Sequence, residues 1–506
     1  MGQQQLSSLP ARFQRNSPAS MGTTIMLGIL LCLGETLLIL FNPLIGLAGG
    51  VTICLVALLL KRTGLALPLF VVVAGPSITF PASSSGILSR LYVGDLFFGL
   101  LLVIWLLREL VRRPQESPLP SAALAMRLTR SVWSIVVPLL CLALVGIMSI
   151  VYSHMFPDPL VTYAFVHSTV SLTLVNLVEV WLLISTPLLI LMVPRMVRTL
   201  KDAQWMIGAF LVIGLPYALG TIFAGPLHLY SQDVILGVQR PEVFGTTSSI
   251  LGILNVQFTC VALSLLLYTH NVSLRLGLAL LTCIFAASVV MTFGRETWIG
   301  LLLAVWAILW FRFKNPLTLL FPLMILPLVL LIFPDVINFY NPTVVYGADR
   351  INIWQDAIAI WQHSPYMGVG AGNFQFFDIA YGTEVVGVAH NQFLEVLAEM
   401  GVQGLLCLLV TIVMIGRVTL NCFNTALSDM GKAVSLAYLG YFAALLFATF
   451  FTDSFVPSTA AAGGTGPFLI LSYSWVFLGL VLSIPNWDRN IGTQFTAPAS
   501  SESASK

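Results

Sequence analysis

Apolar runs of membrane-spanning length follow one another along almost the whole chain, separated by short polar joints. A helix needs about 20 apolar residues to cross the hydrocarbon of a bilayer. Candidate spans run approximately 22–41, 44–60, 64–80, 92–110, 131–153, 171–193, 203–224, 248–268, 272–293, 297–313, 316–333, 391–416, 433–452 and 467–485, the third and tenth being marginal in length. The pattern predicts an all-α polytopic bundle of about 14 transmembrane helices, with 12 as the lower bound. One joint alone is long, residues 334–390. Within it Ile351, Trp354, Ile358 and Trp361 recur at helical spacing and predict an amphipathic helix lying on the bundle or at the lipid interface. Ser364-Pro365 ends that helix, and Gly368, Gly370 and Gly372 predict a flexible turn before the chain returns at His390. Neither an internal repeat nor a coiled coil is visible. The organisation expected is a polar tail over 1–21, without a cleavage pattern, a bundle over 22–485, and a Ser/Ala-rich disordered tail over 486–506.

Composition agrees with this reading and excludes a soluble multidomain protein. Of the 506 residues 58% are hydrophobic and only 9% charged, against the quarter usual for globular chains. The net charge of +2 is spread through short loops and carries no message about nucleic acid. All seven cysteines lie in or beside apolar spans, without metal-site spacing, and read as packing residues. The basic residues, in contrast, are strongly ordered. Threading the spans in sequence puts nineteen Lys and Arg on one side and leaves Arg90, Arg240, Arg295 and Arg350 on the other. Cytoplasmic loops hold positive charge, so both termini are expected inside and the 334–390 loop outside.

Those outer cations invite a chemical reading. Arg295 sits in Thr292-Phe-Gly-Arg-Glu-Thr-Trp-Ile-Gly300, between two spans with almost no loop. It can snorkel to headgroups, or present a planar, permanently charged fork to an anion such as phosphate. Arg350 opens the loop helix, either as a surface charge paired with Asp349 or Glu384 or as a second anion ligand. His390-Asn391 opens the twelfth span, as a polar cap or with His390 as a general base near neutral pH. Glu35 and Glu179 lie inside apolar spans, where a carboxyl either is satisfied in the bundle or marks an ion path. Gly368-Val-Gly-Ala-Gly372 lacks the strand–turn–helix setting of a nucleotide loop. The outer loops hold no D-x-D or other close acidic pair to seat a divalent ion.

The order of the motifs is more specific than any one of them. T-x-x-R-x-x-W-x-G around Arg295 is followed by R-x-x-x-W at Arg350, P-x-x-G-x-G-x-G-N-F from Pro365, and H-N-x-F-L-x-x-x-x-E-x-G-x-x-G from His390 through Glu399. Over roughly 275–420 this resembles the O-antigen ligase and O-antigen polymerase family of bacterial envelope glycosyltransferases, and Arg240-Pro-Glu-Val-Phe-Gly245 resembles the preceding outer loop. The resemblance implies a class C glycosyltransferase-like bundle in the bacterial inner membrane. It implies metal-independent, inverting transfer of a glycan from a polyprenyl-diphosphate carrier to a hydroxyl on a glycan, lipid or protein acceptor, at the outer face and without a cofactor. Carried over by motif, Arg295, Arg350 and Arg240 would hold the diphosphate, His390 would take the acceptor proton, and Asn391 and Glu399 would support them. Two positions depart from the family pattern: Gly294, where a serine is expected, and Glu296, where a small residue is usual. A carboxylate at 296 is placed to pair with Arg295. A solute or anion transporter is the alternative from another class, with Glu35 and Glu179 as coupling groups, although the repeat symmetry common in transporters is not visible. A non-enzymatic scaffold would leave the outer arginines without a role.

Overall fold

The computed structural model describes residues 63–74, 93–111, 122–161, 172–235, 238–320, 346–382, 387–456 and 466–495. The two expected spans at 22–41 and 44–60, most of 316–333, the tail over 1–21, residues 496–506, Glu35, Arg90 and Glu384 lie outside these residues, as does the side chain of Asp349; residues 486–495, expected in a disordered tail, are instead helical. The described helices are α1 (Ala66–Ala74), α2 (Val93–Val111), α3 (Ala122–Met155), α4 (Leu172–Met196), α5 (Leu200–Ile222), α6 (Ser248–Tyr268), α7 (Val272–Met291), α8 (Arg295–Phe313), α9 (Tyr346–His363), α10 (Phe374–Tyr381), α11 (Gln392–Thr425), α12 (Asp429–Ala448) and α13 (Gly466–Phe495). Eight of them, α3 to α8, α11 and α12, are long and apolar enough to cross a membrane.

These segments are helical because a chain in hydrocarbon must satisfy its own backbone polar groups. Prolines at 138, 187, 194 and 216 sit inside helices that continue past them, which neighbouring helices make tolerable. Helix starts are marked by side-chain caps: Thr199 and Asp202 form a reciprocal capping box on α5, and Asn271, Asn391 and Ser428 accept backbone N–H groups at the starts of α7, α11 and α12. In the centre α12 packs on α8 and α6, and α3 packs on α11 and α4. Gly440 lets α12 approach α8 closely, since a Cβ there would stand 2.5 Å from Ile308.

Two features depart from the sequence reading. The loop between α5 and α6 adds strand to a bundle expected to be all-α: Tyr230–Ile235 (β1) and Val238–Pro241 (β2) pair as an antiparallel hairpin. In α9, Ile353, Ala357 and Ile360 face the interior with Trp354 and Trp361 half-buried beside them, while Ile351 and Ile358 are exposed. The expected stripe is therefore split. The true inward face is set about one position away, because the helix is pinned by α10 and α11 and not by its own apolar pattern.

The bundle has two chemically different ends. One gathers the starts of α8 and α11, the loop after α12, and α9. At the other, Arg312 of α8 lies 4.3 Å from the ring centroid of Tyr268, His270 approaches Asp429 at 3.4 Å, and Asp488 accepts the N–H of Leu427 at 2.7 Å.

Candidate active site

α11 builds the site from its first turn. Asn391 caps it, accepting the N–H groups of Phe393 (3.1 Å) and Leu394 (3.3 Å). That cap leaves the preceding residue, His390, in the left-handed region at φ 49°, a conformation uncommon for a side chain-bearing residue and often found where a site constrains the backbone. Gln392 then anchors the loop that follows α12. Its backbone N–H donates to the Thr449 carbonyl (3.1 Å) and its Nε2 to the Val456 carbonyl (2.9 Å). Its Oε1 accepts from the N–H groups of Phe455 (2.8 Å) and Val456 (2.9 Å). The loop so held carries Asp453 to the start of α11, where it is buried and hydrogen-bonded to Glu395.

The other walls bring cations. Arg350 of α9 lies over the ring of Phe451, 5.9 Å from its centroid. It is within electrostatic reach of Glu296 and Arg295 at the start of α8 and of Asp453. His390 in turn feels Asp453, Arg350 and Glu296. Arg240, on β2, donates to the carbonyl of Phe293 at 3.5 Å, in the turn that leads into Arg295. Three separate elements thus direct guanidinium groups toward one end of the bundle. Arg295 occupies the first turn of α8, where the helix dipole is also positive, so side chain and backbone favour an anion together.

Burial and charge tune these groups. Burial pushes the His390 imidazole below the ordinary histidine range, Arg350 pushes the same way, and Asp453 and Glu296 oppose them. Burial also raises the Asp453 carboxyl above the usual carboxylate range, against the hydrogen bond from Glu395 and the charges of His390 and Arg350. Arg350 is lowered by burial yet remains a cation.

Glu399 makes its hydrogen bonds outside this cluster, while standing within electrostatic reach of Asp453. Its carboxylate accepts the N–H of Phe374 (3.0 Å) and that of Gly372, and it stands within electrostatic reach of Glu179. Gly401 kinks α11 at φ 66°, and the kink frees carbonyls. Those of Ala398 and Glu399 accept the N–H groups of Val369 and Gly370, each at 2.9 Å, while Val402 donates to the Pro365 carbonyl at 3.1 Å. The glycine turn expected to be flexible is thus clamped. A Cβ at Gly368 would meet the Glu399 backbone at 2.2 Å. Asn176 of α4 closes the far side, donating to the Ala371 carbonyl (3.0 Å) and to Asn373 (2.9 Å). Glu399 and Asn176 therefore hold the glycine turn to the helices.

Sequence reasoning missed Asp453, Glu395 and Gln392. A signal for the first was present: Asp453 is the one charged residue between Lys432 and Asp488. Nothing in the sequence tied it to His390, because the link runs through Gln392. Among the described residues no three His, Cys, Asp or Glu side chains are grouped as metal ligands would be.

Residues 278–409 match the family model described as O-antigen ligase. The O-antigen ligase segment spans Arg295, Arg350, His390 and Glu399, and leaves Arg240 and Asp453 outside it. With the apolar helices, it points to a multi-pass membrane protein of the glycan ligase or polymerase kind. A solved chain reported under "Structural coordination of polymerization and crosslinking by a peptidoglycan synthase complex" is similar at 16% identity, over 70% of this chain and 97% of that one, with a TM-score of 0.38. At that score the likeness does not define the fold. No curated protein matches this chain.

Proposed function

We propose that the protein transfers or polymerises a glycan from a polyprenyl-diphosphate carrier onto an acceptor hydroxyl at the outer face of the bacterial inner membrane, without a metal or other cofactor. The observation that carries this reading is the meeting of His390 with Arg350, and of Arg350 with Arg295, beside the start of α8. The acceptor hydroxyl gives its proton to the neutral His390 ring as its oxygen attacks the anomeric carbon from the side opposite the leaving group, which inverts that centre. The bond from carbon to the diphosphate oxygen breaks, and its electron pair leaves on the diphosphate. Arg295 and Arg350, with Arg240 behind them, neutralise that charge in a site already built for it, the kind of preorganised electrostatics that lowers a barrier most. A low proton affinity keeps His390 in its basic form at neutral pH.

The outer placement is supported by charge. The described basic residues of the opposite end are mostly exposed, as positive-inside residues are: Arg195, Lys201, Arg275, Arg312, Lys314 and Arg417. The donor is a membrane-borne lipid, and the acceptor is a glycan, lipid or protein. The test is transfer by the purified full chain from a polyprenyl-diphosphate glycan, in EDTA, with wild type beside His390→Ala. Transfer that persists in EDTA and fails in the variant supports the reading. Transfer abolished by EDTA sinks the metal-free mechanism, and undiminished transfer by His390→Ala removes His390 from the chemistry.

A further inference from the structure

Trp298 follows Arg295 by one turn of α8, and Trp354 and Trp361 lie on α9 after Arg350. Their indole N–H groups are treated differently. That of Trp298 donates to the carbonyls of Val289 (3.2 Å) and Val290 (3.0 Å). That of Trp361 donates to the Pro365 carbonyl at 3.0 Å. Both close turns of the backbone and leave nothing over for a ligand. Trp354 is the exception. Its N–H is buried and, among the described residues, has no acceptor. Four other indoles share that state, Trp105, Trp306, Trp475 and Trp487, and all four lie on helices of the bundle. Trp354 lies instead in the long outer joint, one helical turn after Arg350.

A hydrogen-bond donor buried without an acceptor is costly, and folded chains retain few of them. The surroundings of this one show what it can serve. The Trp354 ring lies against Phe451, with 6.4 Å between centroids, and the Arg350 guanidinium lies over the same ring at 5.9 Å. One phenyl group thus seats both side chains. Phe451 stands two residues before Asp453, in the loop that Gln392 ties to the start of α11. The indole is half-buried, so its ring keeps an open side. Between Arg350 and His363 the exposed residues of α9, Ile351, Gln355, Ile358, Ala359 and Gln362, carry no charge, which suits a neutral ligand better than further phosphate. Four residues of helix advance about 6 Å, so the indole stands beyond a diphosphate held by Arg350. On one side of that diphosphate is a hydrocarbon without an acceptor, and on the other a sugar with several. We propose that Trp354 is a sugar-binding residue of the transfer site: its indole N–H donates to an oxygen of the sugar bonded to the diphosphate, and its ring packs on that sugar's apolar face. This rests on the proposed role of Arg350 as a diphosphate ligand. An acceptor glycan offers the same chemistry from the other side of the reacting bond, and the experiment separates the two.

Trp354→Phe keeps an aromatic ring and removes the N–H. In transfer by the purified full chain it should raise KM for the glycan donor about 10-fold, the upper range for one hydrogen bond to a neutral group. Inhibition by sugar-free polyprenyl diphosphate should stay as in wild type, because the arginines hold that part. The pH profile should also stay fixed, since an indole does not titrate. Benzothienylalanine at position 354, which puts sulfur in place of the N–H in a ring of the same shape, should reproduce the effect without the packing loss of a smaller ring. A rise confined to the KM of the acceptor assigns the bound sugar to the acceptor and supports the proposal in that form. Equal losses for donor and for sugar-free polyprenyl diphosphate would mean that Trp354 acts by placing Arg350, which overturns it. Kinetics unaltered in both variants overturn it as well. A wild-type chain that transfers nothing takes down this proposal together with the reading beneath it, whereas wild-type transfer that both variants match takes down this one alone.

Discussion

Lys314 and Arg295 stand at opposite ends of the same helix, α8, and are treated in opposite ways. Lys314 is exposed at the C-terminus, where a cation is welcome beside the helix dipole. Arg295 is half-buried at the N-terminus, where the dipole repels it. The contrast extends to the whole bundle. At the Lys314 end, His270 and Asp429 pair in the open, and Asp488 spends its carboxylate on the backbone and hydroxyl at the start of α12. At the Arg295 end, Arg350, His390, Glu296, Glu395 and Asp453 are drawn out of water into mutual reach. Surface charges set orientation at little cost. Buried ones are expensive and persist where they are paired or used. The arrangement at the second end, cations beside a helix start with a weakly basic histidine, is suited to an anionic leaving group.

Substitutions at the two ends should therefore differ by orders of magnitude. The largest effect is expected from His390→Ala, which should lower transfer about 10²–10⁴-fold while donor binding survives, as measured by single-turnover and binding assays side by side. In the wild type, activity should be full while the ring is neutral and fall as pH drops through its proton affinity. Because burial and Arg350 hold that affinity below the ordinary histidine range, the acid limb of the pH profile should lie lower than a free imidazole would give. An acid limb above that range would contradict the described surroundings of the ring. Arg295→Lys or Arg350→Lys should cost about 10²-fold in turnover, since an ammonium keeps the charge and loses the fork. Near-full activity in either would mean that simple charge suffices there.

Gly401→Ala tests the scaffold and not the chemistry. Its Cβ would fall 2.2 Å from the Tyr366 carbonyl oxygen at a positive φ, so the outer loop should detach from α11 at a cost of about 3 kcal/mol or more, read as a lowered Tm in detergent. A stable variant would show that the kink is dispensable. The smallest effects belong to the opposite end: Lys314→Ala should change neither turnover nor stability by more than about 0.5 kcal/mol. The same comparison fixes sidedness. An impermeant thiol reagent should reach Tyr366→Cys, a residue 74% exposed on the outer loop, in intact cells, and Lys314→Cys only once the membrane is opened. Labelling in the reverse order would turn the protein over and move the proposed site to the cytoplasm.

Much of the candidate site could be named from the sequence because its parts lie in one stretch of motif. Arg295 and His390 stand at helix starts that polar punctuation marks, and Arg350 lies in the second turn of α9 within the long joint between them. Asp453 and Glu395 were not legible as partners, since the Gln392 side chain that brings their segments together looks like an ordinary polar residue in an apolar span. Glu296 was noticed as an oddity and read as a partner for Arg295. Its reach to His390 depends on how α8 and α11 are set against α12.

The sequence by itself determined the solvent, the helical class and the sorting of charge between two faces, because each follows from local composition and from the length a bilayer demands. It also determined where α11 starts, since an Asn cap needs only its own first turn. The tertiary structure alone decided which face of α9 is buried, that the glycine turn is clamped, and which carboxylates stand around the histidine. Those depend on contacts between segments far apart in the chain, made by single hydrogen bonds and close helix approaches that leave no periodic trace in the residues between them.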